Sequence, residues 1–472
     1  MSDSSPLVFR QYQLSCLSIF SYLVGDETTG RAVVVDPQRD ISGYLDDAAA
    51  LDLKIERVIE THFHADFLSG HLELADATGA AISYGDVATA DFPMEPLAHG
   101  QRLELGRVAL EIRHTPGHTP ESVSIVVWDG ADPEPWGVLT GDTLFVGDVG
   151  RPDLLTSVGW TADGLARSLF RSLHGELLTL PDATRVFPAH GAGSACGKAM
   201  SDAVSSTIGE QRELNYALRP MSEDEFVAAV TEGQSVAPLY FAFTADSNRR
   251  MHGLLDDADP PPRLDLEGLE QSLSEGAVLV DGRSPEVFAS GHIRGSINVG
   301  LDGRFAEYAG DVVRPGQSIV VVTDRDHEVE AKVRLARIGF DRVRGAVVDV
   351  EEWLAERPEL AEQSTRLAAL DVGALQTDEP TAQILDIRNP GEQEAGTIPG
   401  AIRIPIARLL DRHGELDPEA PTVVYCAGGY RSSIAASLLR SLGFRQVADL
   451  QGGFDAWARA GLPIEGGAPK QD

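Results

Sequence analysis

Cysteine is nearly absent from this chain. Cys16, Cys196 and Cys426 are the only three in 472 residues, an odd number too widely spread to build a disulfide framework. They are expected to be free thiols in a reducing compartment. Lysine is also rare: there are four, against 35 arginines, and the formal charge is −34. Such a surface repels nucleic acid and anionic lipid, so neither is an expected partner. The acidic excess reads as a solubility or salt-adaptation trait. Long apolar runs are missing too. No stretch approaches the roughly 20 apolar residues that cross a bilayer. The opening MSDSSPLVFR has no basic segment followed by an apolar core, so the expected location is the cytoplasm.

What is present suits packed cores. Hydrophobic residues make up 43% and charged residues 24%, as in globular proteins, and the length argues for three units. LLDDADPPPRLD, residues 254–265, breaks any helix with three prolines and reads as a semi-rigid linker. Beyond it the chain repeats. VLVDGRSPEVFASGHIRGSINVG (278–300) aligns with ILDIRNPGEQEAGTIPGAIRIP (384–405), with Asp281, Arg283, Gly291 and Gly295 matching Asp386, Arg388, Gly396 and Gly400 at a spacing of 105. Two tandem domains of one fold are predicted, which places domains at 1–253, 264–365 and 366–472. Short β-branched runs such as IVVV and TVVY, each followed by a helical pattern, predict α/β domains with buried parallel strands. The first domain is richer in strands and is expected to hold two sheets.

Histidines and carboxylates of the first domain follow its strands. His62, His64 and Asp66 come after ERVIET, His118 lies in TPGHTPES, Asp142 ends GVLTGD and His190 ends RVFPAH. Loops at the carboxyl ends of strands are where α/β folds build sites. The blocks HFHAD, TPGHTPES, LTGDTLF and FPAHG, in this order, resemble the metallo-β-lactamase superfamily, whose fold is an αβ/βα sandwich. In its glyoxalase II-like members, the resemblance places one metal on His62, His64 and His118. A second metal there uses Asp66, the next histidine and His190, with Asp142 bridging. Here that next position is Phe67, which has no lone pair to donate, so the second site is incomplete.

The persulfide dioxygenase branch of the superfamily offers an explanation. It uses one ferrous ion, and the matching ligands are His62, His118 and Asp142. Two histidines and a carboxylate leave three coordination positions open for a substrate sulfur and dioxygen, whereas zinc has no redox change with which to activate oxygen. His64, Asp66 and His190 would then orient the ligands from outside. Cys196, in SACGK, is a buried small residue or a thiol near the site. Arg151, in GDVGRPDL, holds either a substrate carboxylate or an internal aspartate. Cys16, beside Leu14 and Leu17, is expected in the core.

CAGGYRS, residues 426–432, lies between a buried strand and a helix. Paired glycines let the backbone N–H groups of Ala427, Gly428, Gly429 and Tyr430 turn inward as an anion nest. The nest and the following helix would stabilise a sulfur anion on Cys426, and Arg431 adds a fixed positive charge. With DIRNPGE, TIPGA and GGFDAW, this loop resembles the rhodanese family, which implies that Cys426 carries sulfur as a persulfide. Asp386 and Arg388 read as structural. In the first repeat Thr323 and Asp324 fall where the cysteine belongs, and neither can form a stable persulfide. That copy is expected to be silent.

The whole order resembles bacterial persulfide dioxygenase-sulfurtransferase fusions that detoxify sulfide-derived sulfur. This implies one Fe(2+) per chain and, as partners, a low-molecular-weight thiol persulfide, dioxygen, and sulfite or thiosulfate. Tethering would raise the effective concentration of shared sulfite. The alternative is a single-metal thioester hydrolase of glyoxalase II type, working through metal-bound hydroxide, with an appended sulfurtransferase. The sequence is compatible with a homo-oligomer and does not single out the thiol that carries the persulfide.

Overall fold

The computed structural model describes residues 5–130, 132–156 and 159–466. The chain divides into two compact units, Met1–Gln234 with Phe241–Leu255, and Ser235–Tyr240 with Asp256–Asp472.

In the first unit, apolar runs such as Ile19–Asp26, buried at every residue, pair into two six-stranded sheets. One has the order Leu7–Leu14, Ile19–Asp26, Arg31–Val35, Lys54–Ile59, Ala81–Gly85, Glu95–Leu97. The other runs Ser206–Thr207, Arg185–Pro188, Gly137–Gly141, Val123–Asp129, Val108–His114, Arg102–Glu104. Their facing sides close one core, where Tyr22, Val24, Val35 and Ile59 meet Leu110, Ile112, Ile125 and Leu139. Each such side chain contributes about 1.5–3 kcal/mol by leaving water. Helices cover the outer faces. Tyr44, Ala48 and Leu74 pack on Leu23, Val34 and Ile55, while Ala166, Leu169 and Phe226 pack near Val126, Val138 and Val186. These layers are the predicted αβ/βα sandwich. The pairings Arg31–Val35 with Lys54–Ile59 and Gly137–Gly141 with Arg185–Pro188 are parallel, so their carboxyl ends release loops on the same side of each sheet.

In the second unit the two repeats form separate all-parallel sheets. The first has the order Ile297–Asn298, Val278–Asp281, Ile319–Val322, Val343–Val347. The second runs Thr365–Leu367, Val447–Leu450, Thr422–Tyr425, Gln383–Asp386, Ile402–Arg403. Asp281 and Asp386 do matching work: each accepts a 2.7 Å bond from the arginine two residues on, Arg283 or Arg388. That arginine also donates to the carbonyl of Gly291 or Gly396 and so ties down the turn after the short helix Pro285–Ser290 or Pro390–Glu394.

Two local features differ from the sequence reading. Residues 235–240 pack with the second unit although they precede the prolines. Leu239 N–H donates to Asp311 Oδ1 at 3.2 Å, and a Cβ at Gly310 would come within 2.2 Å of the Tyr240 ring. Cys16 lies half-buried in the turn between the first two strands, where the neighbouring Leu17 takes the buried position. No helix of the described residues is long and apolar enough to cross a membrane.

Candidate metal centre and cysteine loop

Three strand-end loops bring His62, His118 and Asp142 together, all buried. Nε2 of His62 and of His118 lie 3.8 and 3.4 Å from Asp142 Oδ2. The opposite ring nitrogens are committed. His118 Nδ1 donates to the carbonyl of Arg151 at 2.8 Å. Thr61 Oγ1 donates to Asp36 Oδ2 at 2.9 Å and therefore accepts from His62 Nδ1, also at 2.9 Å. Both Nε2 atoms thus keep their lone pairs. Among the described residues, His62 Nε2 and Asp142 Oδ2 are buried without a hydrogen-bond partner, a costly arrangement unless a further group satisfies them. The three donor atoms lie within 4.8 Å of one another, a spacing that fits one cation.

Electrostatics agree. Burial, then the neighbouring His64, hold His62 well below the usual histidine range, so it is neutral. Burial alone would raise Asp142, but His190, His62 and His118 outweigh it and hold the carboxyl far below its ordinary value. The trio thus includes an anion, Asp142, and a neutral imidazole, His62. Two glycines permit the close approach of these loops. A Cβ at Gly150 would fall 1.9 Å from the Asp142 carbonyl, and Gly141 has φ +51° with its Cβ position 2.7 Å from Thr61 Oγ1.

The remaining predicted groups surround this trio. His190 bridges two carboxylates, with Nδ1 2.7 Å from Asp142 Oδ1 and Nε2 2.7 Å from Asp66 Oδ2. Burial opposes its charge, but Asp142 and Asp66 prevail and raise its pKa well above the ordinary value. Both of its ring nitrogens are engaged by carboxylates. His64 turns away from Asp142 toward Asp36 and Glu60, at 3.1 and 3.5 Å. Phe67 is buried, its ring 4.3 Å from that of His64. Cys196 is buried beside Asp66 and His190; burial first, then Asp66 and Asp142, push its thiol up, so it is uncharged. Arg151 is bidentate to Asp153, both bonds 2.7 Å. Of the two roles open to it in the sequence, the structure shows the internal aspartate.

At the end of strand Thr422–Tyr425, Cys426 is buried. Gly429 N–H donates to its Sγ at 3.1 Å, and Ser432 Oγ lies 3.7 Å away. The loop's outer side is pinned by GGFDAW: Phe454 N–H donates to the Cys426 carbonyl at 2.7 Å and Asp455 N–H to that of Ala427 at 3.1 Å. Gly428 is exposed. Arg431 grips Glu392 through two bonds of 2.8 and 2.7 Å, so its charge is partly neutralised. The Tyr430 ring leaves the loop toward the first repeat, its hydroxyl donating to the Gly300 carbonyl at 2.7 Å. In that repeat Thr323 is buried just after the strand Ile319–Val322, and His327 is exposed beside Glu330.

Sequence reasoning missed several participants. Glu392 stood in the quoted DIRNPGE, where only Asp386 and Arg388 drew attention, and Asp36 follows the strand Arg31–Val35. Asn248 had no local signal. It donates to the carbonyls of His64 and Phe67, each at 2.8 Å, and accepts from Ser69 N–H at 2.9 Å, which closes the histidine loop from 180 residues away.

Fold and site define a class. The metallo-beta-lactamase superfamily profile matches residues 14–190, and the rhodanese-like domain profile matches 265–356 and 370–460. The chain belongs to the metallo-beta-lactamase superfamily, with two rhodanese-like domains after the superfamily domain. Its relatives include the mitochondrial persulfide dioxygenase ETHE1 of Homo sapiens, 31% identical over 254 residues, which covers 52% of this chain and 90% of the human protein. The Bos taurus protein of the same name is 30% identical over 256 residues, with the same two coverages. A crystal structure of a metallo-beta-lactamase from Staphylococcus aureus subsp. aureus COL is similar with TM-score 0.67 and 32% identity, over 73% of this chain and 99% of that one.

Proposed function

We propose that the chain oxidises low-molecular-weight persulfides at one ferrous ion held by His62, His118 and Asp142, and passes sulfane sulfur through Cys426. The observation that carries this reading is the trio of converging donor atoms, of which His62 Nε2 and Asp142 Oδ2 are buried and unpartnered, beside His190, whose two nitrogens are already spent on Asp66 and Asp142. The trio fits one cation, and Phe67 deprives the neighbouring cluster of Asp66, His190 and Cys196 of the histidine that a metal pair would use, which favours a two-histidine, one-carboxylate iron site over a metal pair. The persulfide dioxygenase relatives point the same way. Iron bound there would supply dioxygen activation next to the substrate sulfur.

The protein's own groups do the rest. Thr61 and the Arg151 carbonyl hold both imidazoles in the ligating tautomer. His190 keeps Asp142 oriented through Oδ1 and leaves Oδ2 for the ion. Overall, dioxygen supplies two oxygen atoms and water the third, the substrate's S–S bond breaks, and thiol and sulfite leave. At the second site the Cys426 thiolate attacks the outer sulfur of another persulfide, and the donor's S–S bond breaks to release its thiolate. Sulfite then attacks the sulfur held on Cys426, which forms thiosulfate and regenerates the thiolate. The transfer also runs in reverse, from thiosulfate.

Anaerobic purification followed by metal analysis tests the reading. About one iron per chain, with oxygen uptake on glutathione persulfide, is expected; zinc with thioester cleavage would establish the hydrolase instead. Cys426→Ser should abolish sulfur transfer and leave oxygen uptake intact, and unchanged transfer would refute the division of labour.

A further inference from the structure

The silent repeat makes its closest approach to the cysteine loop through Tyr430. The Tyr430 hydroxyl donates to the Gly300 carbonyl at 2.7 Å, and its ring lies across the turn that follows. A Cβ at Gly303 would fall 2.4 Å from Tyr430 Cζ, and one at Gly300 3.4 Å from Cε2. The Tyr308 ring flanks it at 5.7 Å between centroids. The turn is itself held: Arg334 donates to the carbonyls of Leu301 and Gly303, each at 2.5 Å. Three residues past Tyr430, the helix that follows the loop is fastened to the same edge. Ser433 donates to Asn298 Oδ1 at 2.7 Å, and Asn298 N–H donates to Ser437 Oγ at 2.9 Å. Asn298 is aimed by its own amide, which donates to the carbonyls of Asp281 and Arg283.

This socket belongs to one copy only. At the 105-residue spacing, Asn298, Gly300 and Gly303 correspond to Arg403, Pro405 and Arg408, side chains that would fill the space. The first repeat therefore lacks the sulfur-carrying residue and has the seat that the second repeat lacks.

We propose that the silent repeat is a positioning half of the sulfur-transfer site: its 300–303 turn seats Tyr430 and so sets the loop that surrounds Cys426. The link is short. Tyr430 follows Gly429, whose N–H donates to Cys426 Sγ and whose φ of +102° places it at the sharp bend of the loop. Where the ring sits fixes where that donor points. The proposal rests on the sulfurtransferase reading, with Tyr430 a positioning residue and not a catalytic one.

The test uses the full chain and three readouts: the rate of Cys426 alkylation by iodoacetamide, followed on its own peptide by mass spectrometry; kcat and KM for sulfur transfer from thiosulfate to cyanide; and oxygen uptake. Tyr430→Phe keeps the ring and loses the bond, so alkylation and kcat should each change roughly three- to tenfold, with KM and oxygen uptake nearly constant. Gly303→Val should have a larger effect. It should have no further effect once Tyr430→Ala has emptied the socket, since the two changes act through one contact. A purely structural role would change the folded fraction and leave the rate per folded molecule alone. Wild-type alkylation and kcat in Tyr430→Phe, or additive losses in the double variant, would overturn the proposal. If the wild-type chain transfers no sulfur, the sulfurtransferase reading fails, yet the alkylation rates still decide whether the socket positions Cys426.

Discussion

At the scale of single residues, protons decide what the metal centre can be. Histidine ligates only through a nitrogen without hydrogen, and the two imidazoles obtain that state by different means. His118 gives its proton to a backbone carbonyl, while His62 depends on a side-chain relay through Thr61 to Asp36. The relay is the vulnerable one. Thr61→Val keeps the shape and removes the hydroxyl, so His62 is no longer held in one tautomer. Metal affinity should fall by about 10–100-fold, measured by competition with a chromophoric chelator, and the metal-free protein should lose about 1–3 kcal/mol of stability, because Asp36 Oδ2 and His62 Nδ1 lose their buried partner. His190 shows the opposite use of the same side chain: flanked by two carboxylates it is held charged and serves as a strut. Nothing in HFHAD or FPAHG distinguishes these roles, because a histidine's partners come from other loops.

At the scale of elements, the helix Phe305–Val312 shows how a segment is captured across a domain boundary. Its Asp311 is buried against Leu239 N–H. Burial, with help from Glu307, pushes its carboxyl up to about 8, against the pull of Leu239 N–H, Arg304 and Arg408. A raised carboxyl binds its proton more tightly folded than unfolded. Its contribution to stability is therefore complete below the unfolded value of about 4 and is lost as pH rises through about 8. Asp311→Asn removes the titration and can still accept from Leu239. Its melting temperature should gain on the wild type progressively from about pH 4 to about pH 8 and hold a constant lead above that, and a lead independent of pH would contradict the assignment. Elements were unequally legible. Fully buried strands such as Ile319–Val322 and Thr422–Tyr425 are visible as β-branched runs. Two-residue edge strands such as Ile297–Asn298 and Ile402–Arg403 are too short to show any period, so the place where the loop helix docks could not be read.

At the scale of the whole molecule, charge dominates. A formal charge of −34 repels itself in the folded state, and salt screens that repulsion. Raising sodium chloride from about 10 mM to about 1 M shortens the Debye length from about 30 to about 3 Å. The melting temperature should rise with it, and calorimetry showing no rise or a fall would mean that specific ion pairs, not net repulsion, govern stability. Much of the organisation at this scale was legible: the tandem repeat and the two-sheet first domain both leave patterns longer than their local noise. The capture of residues 235–240 by the second unit was not, because nothing in their composition separates a linker from a strap.

The amino-acid sequence by itself determined which donors stand at strand ends, that position 67 carries no ligand, and that one repeat holds a cysteine while the other does not. These are facts of residue type, and chemistry follows from type alone. Only the tertiary structure decided which imidazole is neutral and which is charged, that Arg151 and Arg431 answer to Asp153 and Glu392, and that Tyr430 rests on the first repeat. Those outcomes depend on distances between residues far apart in the chain, and a side chain's protonation and partners are set by what folding places within a few ångströms of it.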